Sequence, residues 1–506
     1  VPVITSTVAA SSGDVIESGH ADDNSVVAGT VTATGQLTAS DVDANDDATN
    51  QTWTVTSPLV GTYGSIAITA AGVWTYTLDN SAGSAADVLD EGDKVTDSFT
   101  VQVADGHGGV ATQTVTVTIN GTNDKPTIDA ANTVVAGTVT ESGLTPAGAA
   151  EAGTPSASGQ LATLDVDAGA STQTWNVQGT PSTTYGSFAV DGNGLWTYTL
   201  DNSLVATQAL DVTDQVTQSY TVRMTDDFGA YVDQVVTITI NGTNDVPVIT
   251  STVAASSGDV IESGHADDGT AVAGTAVATG QLTASDVDAE DNAGNQTWSL
   301  DGVPSATYGS FAINASGEWT YTLNNSLAAT QALDEGDEVT ETFAVQVADG
   351  NGGVATQSVN VTITGTNDVP VITNNAAALA GAVTESGLTP AGAAEAGTVT
   401  ATGTLSASDV DTDATQAWSV QGANSTTYGS FSVDPATGVW TYTLDNSLVA
   451  TQALDVTDQV TQSYTVRMTD DFGAYVDQVV TITINGTNDV PVITSTVAAS
   501  SGDVIE

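Results

Sequence analysis

The chain has 506 residues, with 61 acidic side chains against 4 Lys and Arg, 50 glycines and no cysteine, and its formal net charge is -57. That much negative charge repels phosphate, which excludes nucleic acid as a direct partner and anionic membrane surfaces as a docking site. The lack of cysteine excludes disulfides and thiolate metal sites and fits a secreted bacterial protein, while apolar runs of only a few residues exclude direct insertion into a bilayer.

Taken in chain order, residues 4–9, 34–39, 53–56, 65–69, 72–78, 95–104 and 110–119 read as strands. Thr, Val and aromatic residues alternate with polar ones in VWTYTL (73–78) and TQTVTVTI (112–119), with Gly, Asn and Asp clusters between the runs. Seven antiparallel strands in about 120 residues predict an immunoglobulin-like sandwich. The pattern then repeats. GTND recurs with its aspartate at Asp124, Asp245, Asp368 and Asp489, at spacings of 121, 123 and 121 residues. Residues 203–245 and 447–489 are identical, whereas the first and third copies share LDEGD and VQVADG, so two domain types alternate. The expected domains are 1–124 (type A), 125–245 (type B), 246–368 (A) and 369–489 (B). Residues 490–506 repeat 1–17 and are expected to form the first strand of a fifth copy. A period near 120 is too long for a solenoid unit and suits an independently folding domain. The start at Val1 and the stop at Glu506 inside a recurring segment lead to the expectation of a longer parent chain that carries the targeting signals. Each copy has two tryptophans, at 53 and 74, 175 and 196, 298 and 319, 418 and 440. Their place on strands assigns them to the core and not to ligand stacking.

The acidic residues keep station. Asp90, Asp211, Asp334 and Asp455 each precede the GTND aspartate by 34 residues, and Asp105, Asp226, Asp349 and Asp470 by 19. With seven strands running up and down, Glu17, Asp90, Asp93, Asn123 and Asp124 fall at the bottom of the first domain. Asp165, Asp167 (a DVD loop) and Asp226 fall at the top of the second, so the two sets face each other. The same bookkeeping places Glu141, Asp211, Asp214, Asn244 and Asp245 against Asp286, Asp288 and Asp349. It then places Glu262, Asp334, Asp337, Asn367 and Asp368 against Asp409, Asp411 and Asp470. So many oxygens at one joint repel unless a hard cation sits among them. Calcium is the expected ion, since it takes six to eight oxygens in flexible geometry where magnesium demands a tight octahedron. Zinc lacks ligands, because His20, His107 and His265 do not recur in every copy. Asp46, Asp47, Asp267 and Asp268 occur in only some copies and read as solvation.

GTNDVPVI, VxESG, LTASDVDA, GxWTYTLDNS and VxVxDxxGG together resemble VCBS repeats, which occur in tandem in very large bacterial surface adhesins of the RTX type. The layout is also similar to cadherin repeats, in which a DxNDN-type linker, an early Glu, an LDRE-type segment, a DxD loop and a later Asp hold calcium between domains; here LDEGD and LDVTD stand in place of LDRE. The resemblance implies tandem immunoglobulin- or cadherin-like β-sandwich domains in an extended rod, with calcium held by Glu17, Asp90, Asn123 and Asp124 below and Asp165, Asp167 and Asp226 above.

An enzyme is not expected, since every candidate carboxylate recurs at a domain end and no nucleophile with a base partner is visible. Two readings remain. One is a calcium-stiffened extracellular spacer on a bacterial surface or in a secreted protein. It would be monomeric, its repeats would be bridged to their neighbours, and other modules of the parent chain would bind the adhesion target, in surface attachment or biofilm formation. The other is a set of adhesive domains that bind carbohydrate or protein through their own loops. Exact copying favours the spacer, because reach scales with copy number. Tyr63, Tyr185, Tyr308 and Tyr428, each before Gly-Ser, are the recurrent loop aromatics and are expected to pack into turns.

Overall fold

A computed structural model describes residues 1–47, 49–167, 173–288, 294–412 and 414–491. The expected first strand of a fifth copy lies outside the described residues from 492 onward. The chain divides into two compact units. One comprises residues 1–246 with 286–292 and 351–353, and the other comprises the rest.

In the first repeat the strands are β1 (Val3–Ile4), β2 (Ser12–Ile16), β3 (Gly19–His20), β4 (Val26–Val27), β5 (Thr32–Gln36), β6 (Ala39–Ser40), β7 (Thr52–Val55), β8 (Gly64–Ile68), β9 (Val73–Leu78), β10 (Lys94–Ala104) and β11 (Val110–Asn120). A four-stranded sheet in the order β2-β11-β10-β7 packs over a three-stranded sheet in the order β5-β9-β8. The same two sheets recur three more times, ending on Tyr231–Asn241, Val354–Thr364 and Tyr475–Asn485. β10 and β11 pair antiparallel along their whole length. Their period-two pattern turns Phe99, Val101, Val103, Val115, Val117 and Ile119 inward while the intervening threonines face out. Between the sheets, Trp74 and Tyr76 are fully buried, and the Trp74 indole N–H donates to the Ala10 carbonyl at 2.8 Å, so its one polar atom is satisfied. All eight tryptophans are buried, as their place on strands predicts.

The expected first strand, 4–9, is not one strand. β1 pairs antiparallel with β6, and the chain then makes a 3-10 turn over Val8–Ser11, which Thr7 caps by accepting from the Ala10 N–H. It resumes as β2, which pairs parallel with β11, Ser12 opposite Thr116 and Ile16 opposite Asn120. The sandwich is therefore mixed, not wholly antiparallel. Period-two alternation reports a strand and its inward face but not its partner's direction, which is why the sequence left the parallel ladder hidden. The β3–β4 hairpin was likewise not predicted, nor were the short helices Val205–Gln208 and Val449–Gln452 of the type B repeats.

Candidate functional site

The parallel ladder decides where the early glutamate goes. Because β2 and β11 run the same way, both finish at the end of the domain where the linker departs, and the Glu17 N–H donates to the Asn120 carbonyl at 3.0 Å. Gly19 then lets the chain run against that linker. A Cβ there would lie 2.5 Å from both the Asn123 carbonyl oxygen and Thr122 Oγ1, so no larger residue fits, and the next residue, His20, donates its N–H to the same carbonyl at 2.6 Å. The VIESGH string is thus one device: a strand that delivers a carboxylate, a glycine that permits contact, and a hairpin that clamps the linker.

At the joint between repeats 1 and 2, Glu17 is fully buried. Glu17 Oε2 accepts weakly from the Thr122 N–H at 3.3 Å, and Glu17 Oε1 is buried without a hydrogen-bond partner. The Asp124 N–H donates to Asp167 Oδ2 at 2.7 Å, leaving Asp167 Oδ1 also buried and unpartnered. Asn123 Nδ2 donates to Asp226 Oδ2 at 3.2 Å, and Asp226 Oδ1 accepts the N–H groups of Phe228 and Gly229 at 3.0 and 2.8 Å. The residues expected from below and above therefore meet. Burial, with the nearby charges of Asp124, Asp167 and Asp87 adding to it, pushes the Glu17 carboxyl up to about 8. Burial likewise pushes Asp167 up to about 7 and raises Asp165, Asp124 and Asp90 above the usual carboxylate range.

The joint between repeats 3 and 4 repeats this geometry. The Asp368 N–H donates to Asp411 Oδ2 at 2.7 Å, and Asn367 Nδ2 donates to Asp470 Oδ2 at 3.2 Å. Glu262 Oε2, Asp368 Oδ2, Asp409 Oδ2 and Asp411 Oδ1 are buried without hydrogen-bond partners. Burial pushes Glu262 and Asp411 up to about 7 and raises Asp334, Asp368 and Asp409. Around Asp245, contacts inside the first unit follow suit. The Asp245 N–H donates to Asp288 Oδ2 at 2.7 Å, Glu141 is fully buried, and burial carries Glu141 to about 8 and Asp288 to about 7. Asn244 and Asp211 are buried and Asp286 is half-buried in that unit, and Asp349 is buried in the other.

Asp93, Asp214 and Asp337 are placed differently. Their carboxylates accept the backbone N–H of Asp90, Asp211 and Asp334 at 3.3, 3.3 and 3.2 Å, which closes the turn three residues earlier. Conversely, Asp87 was missed. Carboxylate oxygens of Glu17, Asp87 and Asp124 lie within 4.8 Å of one another. Asp87 sits 37 residues before Asp124, and the same offset gives Gln208, Gln331 and Gln452 in the other repeats. Those glutamines donate to the early glutamates Glu141, Glu262 and Glu385 at 2.8, 2.7 and 2.8 Å. Searching for recurring acids overlooks a position that is Asp once and Gln three times; searching for recurring offsets would have found it. One sequence reading is corrected outright: Asp46 is not a solvating charge but a buried one, with an oxygen within 4.8 Å of Asp41 and Asp105 and another contact to His107 Nδ1 at 2.7 Å. Asp47, Asp267 and Asp268 are exposed, as read.

A buried carboxylate oxygen with no donor has given up hydration for nothing, and several at one linker repel each other. The donor set is mainly oxygen, contributed by two successive repeats and an intervening linker, which suits a hard cation; His20 Nδ1 and His265 Nδ1, also buried without a hydrogen-bond partner, lie 3.6 Å from Asp124 Oδ1 and Asp368 Oδ1. Tyr63, Tyr185, Tyr308 and Tyr428 are half-buried and pack against the cores of their own repeats, as expected of turn packing.

Fold and joints together define a tandem array of β-sandwich repeats of the cadherin-like class. More particularly, residues 7–121, 244–365 and 367–486, well over half of the chain, match the bacterial cadherin-like domain family, and the chain belongs to it. Among solved structures, extracellular cadherin domains 1–5 of protocadherin gamma B2 are 15% identical with a TM-score of 0.47, the match covering 95% of this chain and 80% of that one. The protocadherin gammaB4 extracellular domain is 15% identical at a TM-score of 0.38, covering 96% and 67%. Mouse cadherin-23 EC22-24 is 14% identical at 0.37, covering 73% and 99%. A search of curated proteins finds no match.

Proposed function

We propose that this chain is the spacer region of a large bacterial surface adhesin, of the VCBS-repeat, RTX-exported kind. In this reading calcium locks each repeat to the next, and the array holds a terminal binding module away from the cell for attachment or biofilm growth. The observation that carries it is the pair of buried, unpartnered oxygens at the first and third linkers, Glu17 Oε1 with Asp167 Oδ1 and Glu262 Oε2 with Asp411 Oδ1, each pair supplied by two successive repeats. Glu17, Asp124, Asp165, Asp167 and Asp226, with Asp90 alongside, would hold the ion at the first joint. Glu262, Asp368, Asp409, Asp411 and Asp470, with Asp334, would hold it at the third, and Glu141, Asp245, Asp286 and Asp288 contribute their share at the second. Bound calcium supplies charge neutralisation and directional bonds. The chain's own residues do the rest: the linker aspartate N–H orients the DVD carboxylate, and the asparagine before it positions the last aspartate.

Domains bounded at 124, 245, 368 and 489 would each advance about 40 Å. Between joints the array is monomeric, since a net charge of -57 opposes pairing of exposed sheet edges. Among the described residues no helix is long and apolar enough to cross a membrane. Small-angle scattering in calcium, and then in chelator at matched ionic strength, tests the reading. The maximum dimension should be larger and the chain stiffer in calcium; identical curves would count against it and favour adhesion through the domains' own loops. In the same experiment Asp245→Ala should loosen the middle hinge while each domain keeps its melting temperature.

A further inference from the structure

The described residues include one non-glycine residue in the left-handed region, Asn24, at φ 64°. It sits at the tip of the β3–β4 hairpin of repeat 1, and what it touches belongs to repeat 2. Asn24 Nδ2 donates to the Tyr231 carbonyl at 2.8 Å, and the Tyr231 N–H donates to Asn24 Oδ1 at 2.8 Å. Tyr231 opens the strand Tyr231–Asn241, whose outer neighbour, Ala136–Thr140, covers only positions 237–241. At Tyr231 that edge therefore presents an N–H and a C=O with no strand beside them. A carboxamide offers one donor and one acceptor at peptide-like spacing, so a single side chain completes the edge as an added strand would. The receiving residue is itself held, because the Arg223 guanidinium lies 3.4 Å from the centre of the Tyr231 ring and pairs with Asp233 at 2.7 Å.

Repeats 3 and 4 have the same seat for the hairpin but differ at its tip, and their joint carries a contact of its own, the Thr412 Oγ1 hydroxyl and N–H donating to the Ala332 carbonyl at 2.7 and 3.3 Å. Tyr475 opens its strand under Arg467, whose guanidinium is 3.3 Å from the ring centre. The opposing hairpin comes as near: a Cβ built on Gly473 would be 3.4 Å from Asp267 Cβ, against 3.1 Å between Gly229 and Asp22. But the hairpin tip is Gly269, at φ 76°, which has the left-handed backbone and no carboxamide. Only Gly and Asn adopt that conformation readily, so the two residues are interchangeable for the hairpin and differ only in reach.

We propose that Asn24 is a cation-independent clasp: its carboxamide docks the hairpin of repeat 1 onto the bare strand edge of repeat 2 and keeps the first joint aligned when no metal is bound, a contact the third joint lacks. The clasp does not depend on the calcium reading, and the test separates the two. The chain has no cysteine, so spin labels can be placed on exposed strand positions by Ser98→Cys with Ser187→Cys across the first joint and by Thr342→Cys with Ser430→Cys across the third. Pulsed electron resonance on the full chain then gives the distance distribution in calcium and in chelator. In chelator the first joint should be narrower than the third. Asn24→Gly should broaden it, the closed-to-open ratio falling roughly 5- to 30-fold as two hydrogen bonds are lost, with no change in melting temperature. Gly269→Asn should narrow the third. A first joint that stays as narrow in chelator after Asn24→Gly overturns the clasp, and a third joint left broad by Gly269→Asn overturns the claim that the carboxamide makes the difference. Distributions identical in calcium and chelator at the third joint would instead count against calcium, leaving the clasp to be judged by the variants.

Discussion

Repeats 1 and 3 are the same domain type, yet the joints beneath them are charged differently. Under repeat 1, Glu17 lies with Asp87 and Asp124, three carboxylates whose oxygens fall within 4.8 Å. Under repeat 3, Gln331 stands where Asp87 does, and its amide donates to Glu262 at 2.7 Å. One acid for one amide changes a self-satisfying arrangement into a repulsive one. Burial is the main cause that lifts both glutamates, Glu17 to about 8 and Glu262 to about 7; the Asp87 charge adds to the rise of Glu17, whereas the Gln331 hydrogen bond opposes that of Glu262. The same fold thus offers one joint with an extra carboxylate and one in which an amide satisfies the glutamate.

The largest expected effect erases both sites alike. Asp167→Ala at the first joint or Asp411→Ala at the third should weaken calcium binding there by more than the 10- to 100-fold that an outer-shell partner is worth. Isothermal titration checks this by the loss of one class of site, and unchanged stoichiometry and affinity would remove the DVD loop from the ligand set. Exchanging the difference comes next. Asp87→Gln should lower first-joint affinity about tenfold and Gln331→Asp should raise the third by a similar factor, an effect of about 1.4 kcal/mol. In chelator the signs should invert, with Asp87→Gln stabilising the closed joint by relieving repulsion.

A pH series sharpens the comparison further. Glu17 and Asp167, near 8 and 7 in the folded chain, stand above their ordinary values of 4.5 and 3.8, so folding takes up protons between those limits. Without calcium the stability of the first joint is therefore complete below about pH 4 and is lost as pH rises toward 8. At the third joint, where burial carries Glu262 and Asp411 up to about 7, stability should likewise be lost as pH rises. Protons compete with the ion, so calcium should bind more weakly at pH 6 than at pH 8 and release protons on binding. Hinge flexibility followed by scattering across pH 4 to 9 in chelator would detect this; a flat profile would show that these carboxylates are solvated. The smallest effect is expected from Asp93→Ala and Asp337→Ala, which should open a turn and leave calcium affinity at both joints within about twofold. A tenfold loss would return these two aspartates to the ligand set.

How much of this was legible beforehand follows from the type of signal. The tryptophan strands were readable because period-two alternation and burial are the same fact seen twice. Glu17, Asp124, Asp167 and Asp226 were readable because a fixed offset from a linker survives repetition. Asp87 was not, since its offset is shared with glutamines, and Asp46 was not, since an acid that occurs in only some copies has no full pattern to betray its burial.

By itself the sequence determined the composition of the joints, the strand faces and the period, because these depend on the local order of residues. Only the tertiary structure decided that the first strand breaks at Val8–Ser11 and resumes parallel to the last. That choice carries Glu17 to the linker end, and it depends on which edge of the sheet accepts the chain, an outcome of packing between segments about 100 residues apart. The Asn24 contact was hidden for the same reason. Its partner lies 207 residues away in another repeat, and a carboxamide at a hairpin tip looks like ordinary turn chemistry until a bare strand edge is brought against it.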